Sequence, residues 1–197
     1  MKKIIALLLV AVMALGMVAC GTTGANNDNS NETTEAKVEA PASALEVLEN
    51  VWALYNEETE KFFAMGGYAL DEEEIPVTVD GAPGVVSDND YLVYSLLVPE
   101  TEAANVTEAA SLVHAMNANT FTAGAYKVSD VAAFSAAMRE AIQNNQWMCG
   151  FPEKLLIADI GGVVVVAFGN GEVMGVFQGH LTTAYATANI LVDEAIG

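Results

Sequence analysis

The stretch LLIADIGGVVVVAF, residues 155–168, constrains this chain more than any other. Two short apolar runs flank Gly161-Gly162. A glycine pair in that setting signals a two-residue hairpin turn, because such turns need positive φ at their central positions. Residues 163–168 are continuously apolar, which suits a central strand rather than an edge. The two runs are therefore expected as adjacent antiparallel strands.

The flanking segments extend this unit. FTAGAYKV, residues 121–128, reads as a strand. Ser129 is placed to cap a helix on which Val131, Phe134, Met138, Ala141 and Ile142 recur at helical spacing. Asn170 is placed to cap a second helix carrying Val173, Val176, Phe177, Leu181 and Tyr185. Residues 190–192 read as the last strand. The order β-α-β-β-α-β over residues 118–197 is that of the ferredoxin-like split arrangement, with two helices on one face of a four-stranded antiparallel sheet. The expected class is α+β. The second helix carries Gly171, Gly175 and Gly179, four residues apart. Interior helical glycine costs about 1 kcal/mol relative to alanine, so a close approach by another element, or a partner laid along the groove, is expected there.

The front part, residues 42–117, reads as helical. Ser43 and Glu46 have the spacing of a capping box, and Leu45, Leu48, Trp52, Tyr55 and Phe62 follow helical steps, predicting a helix over 43–62 that stops at Gly66-Gly67. Residues 71–74 (DEEE) read as a solvated acidic loop. Ser87 and Asp90 suit the start of a helix reaching residue 97. Thr107 suits the cap of another through residue 117, with Ala110, Leu112, Val113 and Met116 inward. On that helix Ser111 and His114 would stand one turn apart, the one nucleophile–base pairing that can be drawn.

The leader bears on location. Residues 1–20 are MKKIIALLLVAVMALGMVAC: a basic start at Lys2 and Lys3, an apolar run to Val18, and Ala19-Cys20-Gly21. The run is short for a permanent membrane span. Small or apolar residues directly before Cys20 resemble the lipobox of bacterial lipoproteins. That resemblance implies a signal peptide over residues 1–19 and a diacylglyceryl group on the Cys20 thiol, its two acyl chains of the palmitate type, with Cys20 left as the new N-terminus. Residues 20–41 are rich in Asn, Thr, Gly and Glu without hydrophobic period, which predicts a stalk. Residues 42–197 are expected as one domain. The plan of lipobox, polar stalk and one α+β domain is similar to that of small lipoproteins of Gram-positive anaerobes. HAMNANTFTAGAY and NNQWMCGFPEKLL are similar to stretches of relatives loosely labelled bacteriocin-transport accessory proteins, a label that carries no catalytic residue over to this chain.

Charge narrows the partners. The formal net charge is -19, with 26 Asp+Glu against 7 Lys+Arg. Such a surface repels nucleic-acid phosphates. Arg139 is the sole arginine, so bidentate anion clamps have almost no raw material. No phosphate loop, His-Glu-x-x-His, Ser-x-x-Lys or dinucleotide motif is present, and no cofactor is expected. His114 and His180 are the only histidines, so a zinc site would need both. QWMCGFPEK, residues 146–154, resembles a thioredoxin active-site stretch. It lacks the second cysteine, however, and follows a helix instead of a strand. Cys149 is read as part of a helix-to-strand corner plugged by Trp147, Met148 and Phe151, with a reactive thiol as the lesser alternative.

The expected function is that of a lipid-anchored extracytoplasmic protein that binds an envelope protein or small ligand without catalysis. The alternative is an envelope-acting hydrolase using carboxylates among Asp71, Glu72, Glu73, Glu74, Asp88 and Asp90, or the Ser111/His114 pair.

Overall fold

The computed structural model describes residues 40–197. Cys20, the leader and most of the expected stalk lie outside the described residues. The elements run α1 (Ala44–Trp52), β1 (Ala64–Leu70), β2 (Pro76–Asp80), β3 (Gly84–Val86), a π-helical turn (Tyr91–Ser95), the one-turn α2 (Glu100–Ala103), β4 (Val106–His114), β5 (Phe121–Val128), α3 (Val131–Gln143), β6 (Lys154–Ile160), β7 (Val163–Gly169), α4 (Gly171–Ala184) and β8 (Asn189–Ala195). The class is α+β. All eight strands form one sheet in the order β2-β1-β3-β4-β5-β7-β6-β8, antiparallel except for a short parallel contact of β1 with β3.

The β6–β7 hairpin forms as its turn chemistry dictates. Gly161 and Gly162 have φ of 60° and 97°, and Ile160 pairs with Val163. β7 is buried along its whole length. Its side chains alternate strictly, with Val163, Val165 and Ala167 packing under α1 and α4, and Val164, Val166 and Phe168 packing under α3 and the π-helical turn. Each face of the sheet thus carries its own core.

The β-α-β-β-α-β element order is present, but its spatial arrangement is not ferredoxin-like. In that fold the last strand returns beside the first. Here β8 pairs with β6, at the far edge. The crossovers β5-α3-β6 and β7-α4-β8 therefore step in the same direction across the sheet from strands that run antiparallel. Right-handed crossovers then have to lie on opposite faces. The packing agrees: Phe134, Met138 and Ile142 of α3 face one core, while Met174, Phe177 and Leu181 of α4 face the other. The expected pair of helices on one face is corrected accordingly.

The front part is corrected more heavily, since it contributes four strands. α1 starts as expected, with Ser43 Oγ accepting from Glu46 N at 3.1 Å, but it ends at Trp52. Gly66-Gly67 is not a helix stop. It sits inside β1, where a Cβ on either residue would run into the backbone around Gly84, so these glycines let β1 and β3 cross closely. The segment expected as a helix over 107–117 is strand β4. Residues 110 and 112 face one core while 109 and 113 face the other. This period of two was masked by its alanines. The helical start expected at Ser87 is capped by Asp88, whose Oδ1 accepts from Tyr91 N at 2.7 Å. In the same way Asp130, not Ser129, caps α3.

The sheet has distinct ends. At one, Ala40 packs against the Gly161 turn, and Lys127 Nζ donates to Ala42 O at 3.2 Å. At the other lie the β4–β5 loop, the α3–β6 loop and the last residues of β8, where Ile196 N donates to Glu153 O at 3.0 Å.

Candidate functional site: an uncharged pocket at one end of the sheet

A concavity of about 440 Å³ opens at the end away from Ala40. It is assembled from five places in the chain. β1 supplies Met65, the π-helical turn and its exit supply Tyr91, Tyr94, Ser95 and Leu97, and the end of β4 with the β4–β5 loop supplies residues 113–119. The α3–β6 loop supplies Asn145 and Trp147, and β7 supplies Phe168. None of the lining residues is Asp, Glu, Lys or Arg. The chain as a whole has 26 acidic residues.

The walls are held by local hydrogen bonding. Asn119 Nδ2 donates to Met148 O at 2.7 Å and to Gly150 O at 3.1 Å. Asn117 Nδ2 donates to Cys149 O at 2.9 Å. These two side chains clamp the α3–β6 loop onto the β4–β5 loop. His114 Nδ1 faces the amides of Met116 and Asn117 at 3.3 and 3.4 Å. The His114 ring stacks on Phe62, with centroids 5.4 Å apart, and Trp147 packs on Phe168 at 5.3 Å. Tyr91 stacks on Tyr68 at 4.8 Å, and burial pushes its phenol pKa up.

Three local irregularities lie at this end. Leu97 and Cys149 hold positive φ, 60° and 62°, although neither is glycine. Such backbone costs about 1–3 kcal/mol per residue and clusters at ligand clamps and active sites. The π-helical turn is a further departure from regular structure that favours functional sites. Finally, Trp147 Nε1 is buried without a hydrogen-bond partner, as are the Tyr55 hydroxyl and Ser135 Oγ elsewhere in the domain. Tyr94 and Met116 of the lining, and Met148 and Phe151 of the α3–β6 loop, are each more than 70% exposed.

Sequence reasoning located QWMCGFPEK as a helix-to-strand corner, and it is one. Met148 and Phe151 do not plug the core, however, because they point to solvent. Cys149 is free and exposed on the strained turn. The Ser111/His114 pairing does not form. Three residues apart on a strand, the two side chains leave opposite faces. Ser111 is fully buried, and its Oγ accepts from Gly67 N at 3.0 Å. Of the carboxylates, Asp71 Oδ1 accepts from the amides of Glu73 and Ile75 in the β1–β2 turn, and none of the six lines this pocket. His180 lies elsewhere, its Nε2 2.9 Å from Glu60 Oε2. No group of three or more potential metal ligands occurs among the described residues.

Gly171, Gly175 and Gly179 do not mark a close helix contact. The buried stripe of α4 is Met174, Phe177 and Leu181, so the glycines fall on the outer face. A Cβ at Gly175 or Gly179 would meet nothing within 4 Å. Replacing both by alanine is expected to stabilise the domain by about 1 kcal/mol each and to raise its thermal midpoint by about 4–8 °C. A lowered midpoint in a calorimetric scan would show that the glycines meet a packing need after all.

Comparison with family models, with curated proteins and with solved structures finds no match.

Proposed function

We propose that this chain is a membrane-tethered extracytoplasmic binding protein whose pocket, lined in part by the exposed Tyr94 and Met116, takes a neutral and partly apolar ligand. The observation that carries the reading is the uncharged pocket lining in so acidic a chain. Apolar walls with a few convergent polar groups are the usual make-up of small-ligand sites. The tether rests on the lipobox-like residues before Cys20. The chain enters the domain at the end opposite the pocket, which suits a tethered binder. Hydrolysis has less support, because no carboxylate reaches the pocket and Ser111 is sealed in the core.

The test uses tryptophan emission. The chain has two tryptophans, Trp52 and Trp147. Trp52 lies in the core beside α4, with Nε1 donating to Gly81 O at 3.0 Å. In a Trp52→Phe variant, Trp147 reports alone. Saturable changes in its emission are expected with neutral sugars or blocked peptides, and at least tenfold weaker responses with their phosphorylated or carboxylate analogues. A preference for the charged analogues would overturn the reading.

A further inference from the structure

We propose that the free edge of β2 docks an extended cationic peptide segment, which joins the sheet as a further strand. The inference stands apart from the pocket. β2 is the outermost strand at its end of the sheet. Two hydrogen bonds fix which of its backbone groups face inward. Asp71 N donates to Ile75 O at 3.0 Å, and Gly81 N donates to Ala64 O at 2.8 Å. Residues 75 and 81 therefore address the β1 side. Between them β2 alternates without interruption, because the extra residue of the β1–β2 pairing falls on β1, between Gly66 and Ala69. Val77 and Val79 then bond to β1, while Pro76, Thr78 and Asp80 turn their backbone groups outward. Proline has no N–H, so the open row offers the amides of Thr78 and Asp80 and the carbonyls of all three. An incoming strand completes such a row by main-chain pairing.

The side chains beside this row favour alternating apolar residues in the partner. Val79 pairs with Gly66, two residues from Ala64, so Val77 and Val79 leave the face of the sheet on which α1 packs. Val85 of β3, paired with Ala110, leaves the same face. The three valines are 50%, 42% and 52% exposed. A lysine commonly guards an exposed edge against strand addition. None is present here, since no Lys or Arg occurs between Lys61 and Lys127. The opposite edge differs, because on β8 Asp193 and Glu194 are held by Lys154 and Arg139. Charge selects the occupant of the β2 edge. Asp71, Glu72, Glu73 and Glu74 lead into β2, and Asp80 ends it. A lysine or arginine at either end of an added strand meets these carboxylates. A second copy of this chain would instead bring like charge to the edge.

Binding would be measured on the leader-free chain by calorimetry and by amide hydrogen exchange followed by NMR. The probe is a capped heptapeptide of alternating threonine and valine with a lysine at each end. One control carries glutamate in place of both lysines. A second keeps the lysines and is N-methylated throughout, which removes its pairing N–H groups. The lysine peptide is expected to bind at least tenfold more tightly than either control. At saturation it should slow exchange of the Thr78 and Asp80 amides at least tenfold, while those of Val77 and Val79 are already protected in the free chain. Val77→Lys combined with Val79→Lys supplies the missing guard on an exposed face. It is expected to weaken the lysine peptide at least tenfold while leaving the melting temperature within a few degrees. Equal binding of either control overturns the proposal, as does binding without protection of Thr78 and Asp80. No binding at about 1 mM lysine peptide overturns it too. Prior protection of both amides in a free chain that sediments as a dimer would give the edge to a second copy and overturn the peptide assignment. The neutral-ligand reading of the pocket stands or falls separately, on the Trp147 emission test.

Discussion

Replacing Gly124 by alanine is expected to cost about 3 kcal/mol of domain stability, more than most single-methyl additions. Gly124 and Tyr126 lie two residues apart on β5 and so share one face of the sheet. The Tyr126 side chain folds back along the strand, and its ring and hydroxyl occupy the place where a Cβ on residue 124 would sit. Tyr126 is only 1% exposed. Its ring packs on Phe134 of α3 with centroids 5.1 Å apart, and burial pushes its phenol pKa well up. It has no room to swing aside. An added methyl forces the ring out of its place, losing aromatic burial and distorting the central strands. Urea unfolding would measure the loss. The same substitution in a Tyr126→Leu background should cost less than about 1 kcal/mol, because alanine is otherwise preferred to glycine in a strand. Equal costs in the two backgrounds would show that the ring is not what excludes the methyl.

Replacing Cys20 by alanine is expected to move the protein from the membrane fraction to the released fraction almost completely. Under the lipobox proposal the Cys20 thiol carries the acyl chains. Each buried CH2 contributes about 0.8 kcal/mol, so two chains give stable anchoring where one gives only marginal binding. Among the described residues no helix is long and apolar enough to cross a membrane, so the folded domain supplies no helical span to compensate. Cells fed labelled fatty acid should label the parent chain and leave the variant unlabelled. A variant that stays with the membrane beside an unlabelled parent chain would overturn the anchor. The pocket experiments would be unaffected, because they use the leader-free chain.

The back of the domain was legible because several local signals agreed. Gly161-Gly162, the apolar run of β7, the Asn170 cap and the helical spacing of α3 and α4 each follow from backbone geometry. The edge that β8 joins was not legible, because strands of similar alternation can pair on either side and no local residue fixes the choice. The front was misread where composition suggested one structure and packing imposed another. The alanines of β4 fit a helix as well as a strand, and only the sheet on either side makes the period of two hold. The pocket was harder still. Its residues come from segments up to about 100 positions apart, and their common property is lack of charge, which attracts no motif. The nearest local signal was the uncharged run NNQWMCGF, read as a corner and now seen also to contribute the pocket's indole.

The opposite placement of Ala40 and the pocket gives the domain a polarity that any handling of it has to respect. The last strand ends at the pocket end, with Ile196 held to Glu153. A bead, sensor chip or fusion partner joined after Gly197 would therefore stand beside the rim and crowd whatever approaches it. Joined before Ala40, the same attachment leaves the rim facing open solution.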